Sequence, residues 1–97
     1  MKAIAKTKRK KGMELINIPA PQIGPREVLI KVTLASICGT DVHIYDWTHW
    51  ARHRFTPPRI IGHEFVGIVE KIGNEVTHVE AGDRVSAESH ISCGHCY

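Results

Sequence analysis

Apolar and polar residues alternate along much of this chain, and a period of two is the mark of half-buried strands. Lys2 to Lys8 alternates loosely and is rich in Ile and Ala; Met13 to Ile18 repeats the pattern after Lys10, Lys11 and Gly12. Two short alternating runs around a glycine-bearing turn predict a hairpin. Pro19 and Pro21 cannot sit in a central strand, and Gly24-Pro25 marks a further turn. Glu27 to Ile37 is the strongest strand. Val28, Ile30, Val32 and Leu34 are expected on one face, with Leu29, Lys31, Thr33 and Ala35 on a half-buried second face.

The period then changes. Thr40 or Asp41 is the expected cap of a short helix carrying Val42, His43, Ile44, Tyr45 and Trp47. His43 and Trp47, four apart, are expected to share a face. Residues 48–56 read as a loop or broken helix, and Pro57-Pro58 enforces extended backbone. Arg59 to Ile72 reads as one long strand. Turns follow at Gly73–Val76 and Glu80–Asp83, then a short strand from Arg84 to Glu88. Short strands separated by frequent turns predict a mainly β domain, a small barrel with one or two short helices, rather than a parallel α/β sheet.

Composition narrows the class without naming a function. At 97 residues there is one domain at most, and 42% hydrophobic with 24% charged residues is an ordinary soluble balance. No apolar run approaches the roughly 20 residues that cross a bilayer. Met1 to Lys6 has no apolar stretch of the secretory kind, so a cytosolic protein is expected and a membrane partner is not. The net charge of +3 is too mild to imply nucleic acid. The basic run Lys8-Arg9-Lys10-Lys11 has no aromatic residue interleaved with it, so it reads as a solvated hairpin turn rather than a base-stacking surface.

Three cysteines in a chain without a secretory signal argue against a disulfide framework and leave metal ligation or free thiols. Cys38 stands where the strongest strand ends, and Gly62-His63-Glu64 follows 25 residues later, counted from Cys38 to His63. A thiolate and an imidazole supply two of the three protein ligands of a catalytic zinc site. Taken alone, Cys38 equally suits a small buried hydrophobe and His63 an ordinary strand histidine. Neighbours on a strand point to opposite faces, so His63 and Glu64 reach one ion only if the backbone is irregular, which Gly62 permits. Glu64 either ligates the ion or hydrogen-bonds one of its ligands. Gly67 and Gly73 leave room for another backbone to pass close. Cys93-Gly94-His95-Cys96 is either a redox motif, for which no βαβ context precedes it, or half of a tetrahedral structural site.

Cys38-Gly39-Thr40-Asp41, Gly62-His63-Glu64-x-x-Gly67, Gly73, Val76 and Gly82-Asp83-Arg84-Val85 together resemble the zinc-containing medium-chain alcohol dehydrogenases. The resemblance runs the whole chain but covers only the N-terminal portion of such an enzyme. It implies a GroES-like catalytic domain over residues 1–97, a catalytic zinc held by Cys38, His63 and Glu64, and a proton relay through Thr40 and His43. Thr40 equally suits a helix cap. The resemblance also makes Cys93 and Cys96 half of a four-cysteine structural zinc lobe whose other ligands lie beyond Tyr97. It implies NAD as hydride acceptor, a small-molecule alcohol as substrate and a homotetrameric parent. Residues 38–51, through His43, Tyr45, Trp47, Trp50 and Ala51, are most similar to the branch that oxidises L-threonine to 2-amino-3-oxobutanoate. No Gly-x-Gly-x-x-Gly occurs, so the nucleotide-binding domain is expected elsewhere in a longer protein and the piece alone is expected to be inactive. The competing readings are a polyol or other secondary-alcohol dehydrogenase of the same family, and a non-catalytic GroES-like binding module. The module would have no use for Cys38, His63 and Glu64 together.

Overall fold

The hairpin forms as its alternation predicts. In the computed structural model, which describes residues 1–88, β1 (Lys2–Lys6) pairs antiparallel with β2 (Glu14–Asn17). The turn between them takes Gly12 to φ 112°, a region closed to most residues with a Cβ. Ala3 and Ala5 turn inward, and so does Lys6, which is only 1% exposed. A buried ammonium needs partners. Lys6 Nζ donates to the carbonyls of Lys10, Gly12 (2.8 Å) and Tyr45 (3.3 Å), and lies 5.0 Å from the Trp47 ring centre. Burial lowers its pKa, and the charge of Asp46 partly opposes that. With the Gly12 N–H donating to the Tyr45 carbonyl (2.8 Å), this contact fastens the hairpin turn to the first helix.

That helix, α1 (Gly39–Asp46), corrects the expected cap. Cys38 is the N-cap, and Asp41 sits three residues in, accepting the Cys38 N–H through Oδ2 at 3.0 Å. Thr40 lies inside the first turn. Trp47 ends the helix in the left-handed region, φ 56°, and is buried, whereas His43 is exposed. The shared His43–Trp47 face is therefore not formed, because the reversal at the C-cap carries Trp47 inward. Thr48 then caps a second helix, α2 (His49–Arg54), by accepting the Ala51 N–H at 3.4 Å. This short helix occupies the stretch expected to be a loop or broken helix.

Arg59 to Ile72 is two strands, not one. β4 (Arg59–Ile60) pairs with β1, and β5 (Glu64–Ile72) pairs with β3 (Val28–Ser36) and with β6 (Arg84–Ser86). The described residues thus form two three-stranded antiparallel sheets, ordered β2-β1-β4 and β3-β5-β6. Gly62, at φ 117°, is the break that lets the chain leave one sheet for the other.

β3 also departs from strict alternation. Its register with β5 slips between Leu29 and Ile30 and again between Val32 and Leu34, leaving Glu70 and Thr33 without opposite residues. Val32 and Leu34, expected on a buried face, are 54% and 69% exposed. The two glycines of β5's surroundings behave as expected. A Cβ on Gly67 would overlap the Lys31 carbonyl and the Ile30 side chain, and one on Gly73 would overlap the carbonyls of Gly24 and Pro25. Among the described residues the buried apolar side chains are few: Ile44, Trp47, Ala51, Val69 and Val76, besides the two alanines of β1. No helix among the described residues is long and apolar enough to cross a membrane.

Candidate metal centre

Two chain segments meet where β3 ends and β5 begins. Cys38 follows β3 by two residues and begins α1; His63 precedes β5; Glu64 is its first residue. The irregular backbone at Gly62 does what the adjacent His63 and Glu64 require. His63 lies outside the strand while Glu64 lies within it, so the two side chains are released from opposite-face alternation. One donor atom from each of Cys38, His63 and Glu64 falls within 4.8 Å of the others. Cys38 and His63 are half-buried and Glu64 is exposed. A tetrahedral shell with zinc–ligand bonds of about 2.0–2.3 Å has its donors roughly 3.3–3.8 Å apart. The three donors thus need to close by about 1 Å, a side-chain adjustment.

Two further side chains hold this set, and sequence reasoning gave neither a role at the site. Asp41 is buried and reaches both half-buried donors, Cys38 and His63. Its Oδ2 accepts the Cys38 N–H, and its Oδ1 faces His63 Nδ1 at 3.8 Å. Oδ1 is buried with no hydrogen-bond partner. A buried carboxylate oxygen without a donor is costly, and its orientation toward a ligating imidazole is the usual arrangement around a bound metal. Ser36 is the second: its hydroxyl donates to Glu64 Oε2 at 2.6 Å. This bond holds the Glu64 carboxyl below its ordinary pKa, with the Cys38 thiol and His63 acting in the same direction and desolvation opposing. The signal for both lay in residue type: a carboxylate three positions after Cys38 and a hydroxyl two before it.

The residues therefore fit a divalent, partly soft cation. A thiolate, an imidazole and a carboxylate are three protein donors of the catalytic zinc kind, which leaves one position for water or substrate. A cavity of about 410 Å³ has Ser36, His63, Glu64 and Phe65 in its wall, so a small molecule can approach from that side. A second, of about 460 Å³, is more apolar and carries Ile37, Asp41, Val42 and Tyr45.

Thr40 and His43 lie on α1 three residues apart, a spacing that places them on one side of a helix. Thr40 is half-buried; His43 is exposed, its ring 5.7 Å from that of Trp50. Cys93 and Cys96 lie outside the described residues.

Known proteins are similar to this chain in sequence and fold. The alcohol dehydrogenase GroES-like domain profile matches residues 24–97. L-threonine 3-dehydrogenase of Caldanaerobacter subterraneus is 56% identical over 96 residues, 99% of this chain and 28% of that protein. The protein of the same name from Pyrococcus horikoshii is also 56% identical, over 100% of this chain and 28% of its own length. Among solved structures, the alcohol dehydrogenase TADH from Thermus sp. ATN1 superposes with a TM-score of 0.82 at 34% identity, covering 99% of this chain and 27% of that one. Zinc-dependent alcohol dehydrogenase 2 of Streptococcus pneumonia reaches a TM-score of 0.84 at 32% identity, covering 100% and 27%. The chain thus spans little more than a quarter of the length of these relatives.

Proposed function

The chain belongs to the zinc-type medium-chain alcohol dehydrogenases, and from that membership we propose that it forms the metal-binding part of an NAD-dependent L-threonine 3-dehydrogenase. The observation that carries the reading is the convergence of Cys38, His63 and Glu64 within 4.8 Å at the end of the β3–β5 ladder. The threonine assignment is supported by relatives of that name at 56% identity over essentially the whole chain. NAD is supported by a related structure solved with NADH, 40% identical over 100% of this chain.

Cys38, His63 and Glu64 would hold zinc, which supplies Lewis acidity to a secondary hydroxyl. Asp41 sets the His63 ring, and Ser36 sets the Glu64 carboxylate. Thr40, whose hydroxyl both donates and accepts, takes the substrate's hydroxyl proton and passes it to His43. The exposed His43 ring delivers it to water. Bound NAD would supply the hydride acceptor that converting L-threonine to 2-amino-3-oxobutanoate requires. Cys93 and Cys96 would supply half of the ligands of a structural zinc lobe. On this reading residues 1–97 are part of a catalytic domain, the nucleotide-binding domain corresponds to part of the relatives' length that this chain does not span, and the isolated piece does not oxidise threonine.

In the intact enzyme, Cys38→Ser and His63→Ala each lose the catalytic zinc and turnover; full zinc occupancy in both variants overturns the assignment. A panel of L-threonine, butanediols and hexitols separates the threonine reading from a polyol dehydrogenase. His43→Asn lowers kcat while leaving zinc bound, and an unchanged pH–rate profile counts against the relay.

A further inference from the structure

Two residues after Ser36 the chain reaches Cys38, and one residue before Glu64 it leaves His63. Ser36 and Glu64 are themselves cross-strand partners, the final pair of the β3–β5 ladder, and their side chains are joined at 2.6 Å. The last rung of the ladder is therefore also the frame of the metal centre: one side chain from each ligand-bearing segment, bonded to each other. We infer that Ser36 is a positioning residue that holds Glu64 in the metal centre, so that the carboxylate is a standing ligand rather than an exposed side chain that reaches the ion only at times. The inference rests on the zinc reading above and adds a residue to it.

Three features support this. The donor atoms of Cys38, His63 and Glu64 lie together within 4.8 Å while the Ser36 bond is in place, so the bond and the convergence are compatible. Only Oε2 is engaged by Ser36, and a carboxylate offers about four lone-pair positions, so a metal contact stays open. The donor is a neutral hydroxyl. It restrains the carboxylate without cancelling the negative charge that a cation needs, as a lysine or arginine at the same position would. Glu64 is otherwise exposed, and a glutamate at a strand end without this tether is free to turn into water.

The test uses the intact protein loaded with cobalt(II), together with chelator competition for zinc. The reference signal is the part of the thiolate-to-cobalt absorption that Cys38→Ser removes, which sets aside Cys93 and Cys96. Ser36→Ala is expected to weaken zinc binding at this centre by roughly tenfold, the lower end of what loss of a ligand's partner costs. Its cobalt d–d bands should move toward those of Glu64→Ala. Adding Ser36→Ala to Glu64→Ala should change nothing further, since the hydroxyl acts only through that carboxylate. Ser36→Thr, which keeps the hydroxyl on a strand that suits β-branched side chains, should retain the wild-type bands. Wild-type bands and affinity in Ser36→Ala overturn the inference, and so does a Ser36→Ala loss that persists in full in the Glu64→Ala background. A wild-type protein with no Cys38-dependent band overturns the zinc reading itself, an outcome distinct from either.

Discussion

Replacing Asp41 by Asn separates a helix cap from a metal-site support. Asp41 does two things: Oδ2 accepts the Cys38 N–H at 3.0 Å, and Oδ1 faces His63 Nδ1 at 3.8 Å with no donor of its own. Asn is nearly isosteric. Its carbonyl oxygen takes over the bond to the Cys38 N–H, whose full loss would cost about 1 kcal/mol. Its amide then points toward His63, where it presents N–H groups to a ring nitrogen that must itself carry a proton if Nε2 is to bind metal. The unpartnered Oδ1 disappears, which removes a burden of roughly 1–3 kcal/mol from the metal-free fold. Metal-free stability should therefore change by less than about 1 kcal/mol in either direction, because the retained cap and the relieved oxygen offset whatever the amide disturbs. Zinc affinity should fall roughly 10- to 100-fold, which is about 1.4–2.7 kcal/mol. Urea melts of the chelator-treated intact protein read the first quantity, and zinc competition with a chromogenic chelator reads the second. If Asp41→Asn loses more than about 2 kcal/mol of metal-free stability while zinc binds as before, Asp41 is a cap and nothing more, and the argument from its buried, unpartnered oxygen fails.

Three other outcomes follow from the same contacts. Gly67→Ala drives a Cβ into the Lys31 carbonyl and the Ile30 side chain, so it should cost about 1–3 kcal/mol in a urea melt; a shift within error would mean that β3 and β5 separate freely there. Lys6→Met keeps the apolar stem but leaves the Lys10, Gly12 and Tyr45 carbonyls without their shared donor, and should cost about 2–3 kcal/mol and raise hydrogen exchange in the hairpin turn; unchanged exchange there would refute the tether. Glu14 is held below the ordinary value of 4.5 first by the Thr7 hydroxyl at 2.6 Å and next by Lys8. Its unfolded form binds a proton at higher pH than its folded form, so the stability it contributes is present above 4.5 and is lost as pH falls through the folded value. Glu14→Gln should flatten that part of the acid limb of a urea-midpoint titration, and an identical limb would show the Thr7 bond to be idle.

The sequence revealed the chemistry of the site more readily than its supports. Cys38, His63 and Glu64 could be picked out because thiol, imidazole and carboxylate are scarce and chemically distinctive groups. The hairpin and β3 could be read because alternation is a local property. The division of Arg59 to Ile72 was hidden, because its apolar residues run on through Gly62 and only the backbone angle there reveals the break. The bulges at Thr33 and Glu70 were hidden for a similar reason: they belong to the pairing of two strands and not to either strand alone. The burial of Lys6 was hidden because its three acceptors come from the following turn and from a residue 39 positions away, at the end of a helix. Ser36 and Asp41 have unremarkable types for a strand end and a first helical turn. Their roles depend on Glu64 and His63, which are distant in sequence and close in space.

The β3–β5 ladder is fastened by different means at its two ends. Near Val28 and Ile72 it is closed by main-chain bonds, with Gly73 donating to the Glu27 carbonyl and Glu75 to that of Pro25, both at 2.8 Å. Near Ser36 and Glu64 it is closed by side chains whose own hold depends on what they bind. The ladder resembles a zip stitched at one end and buttoned at the other. Stripped of its ion, it should unzip from the buttoned end, so amide protection would be lost as a gradient along the strands instead of all at once.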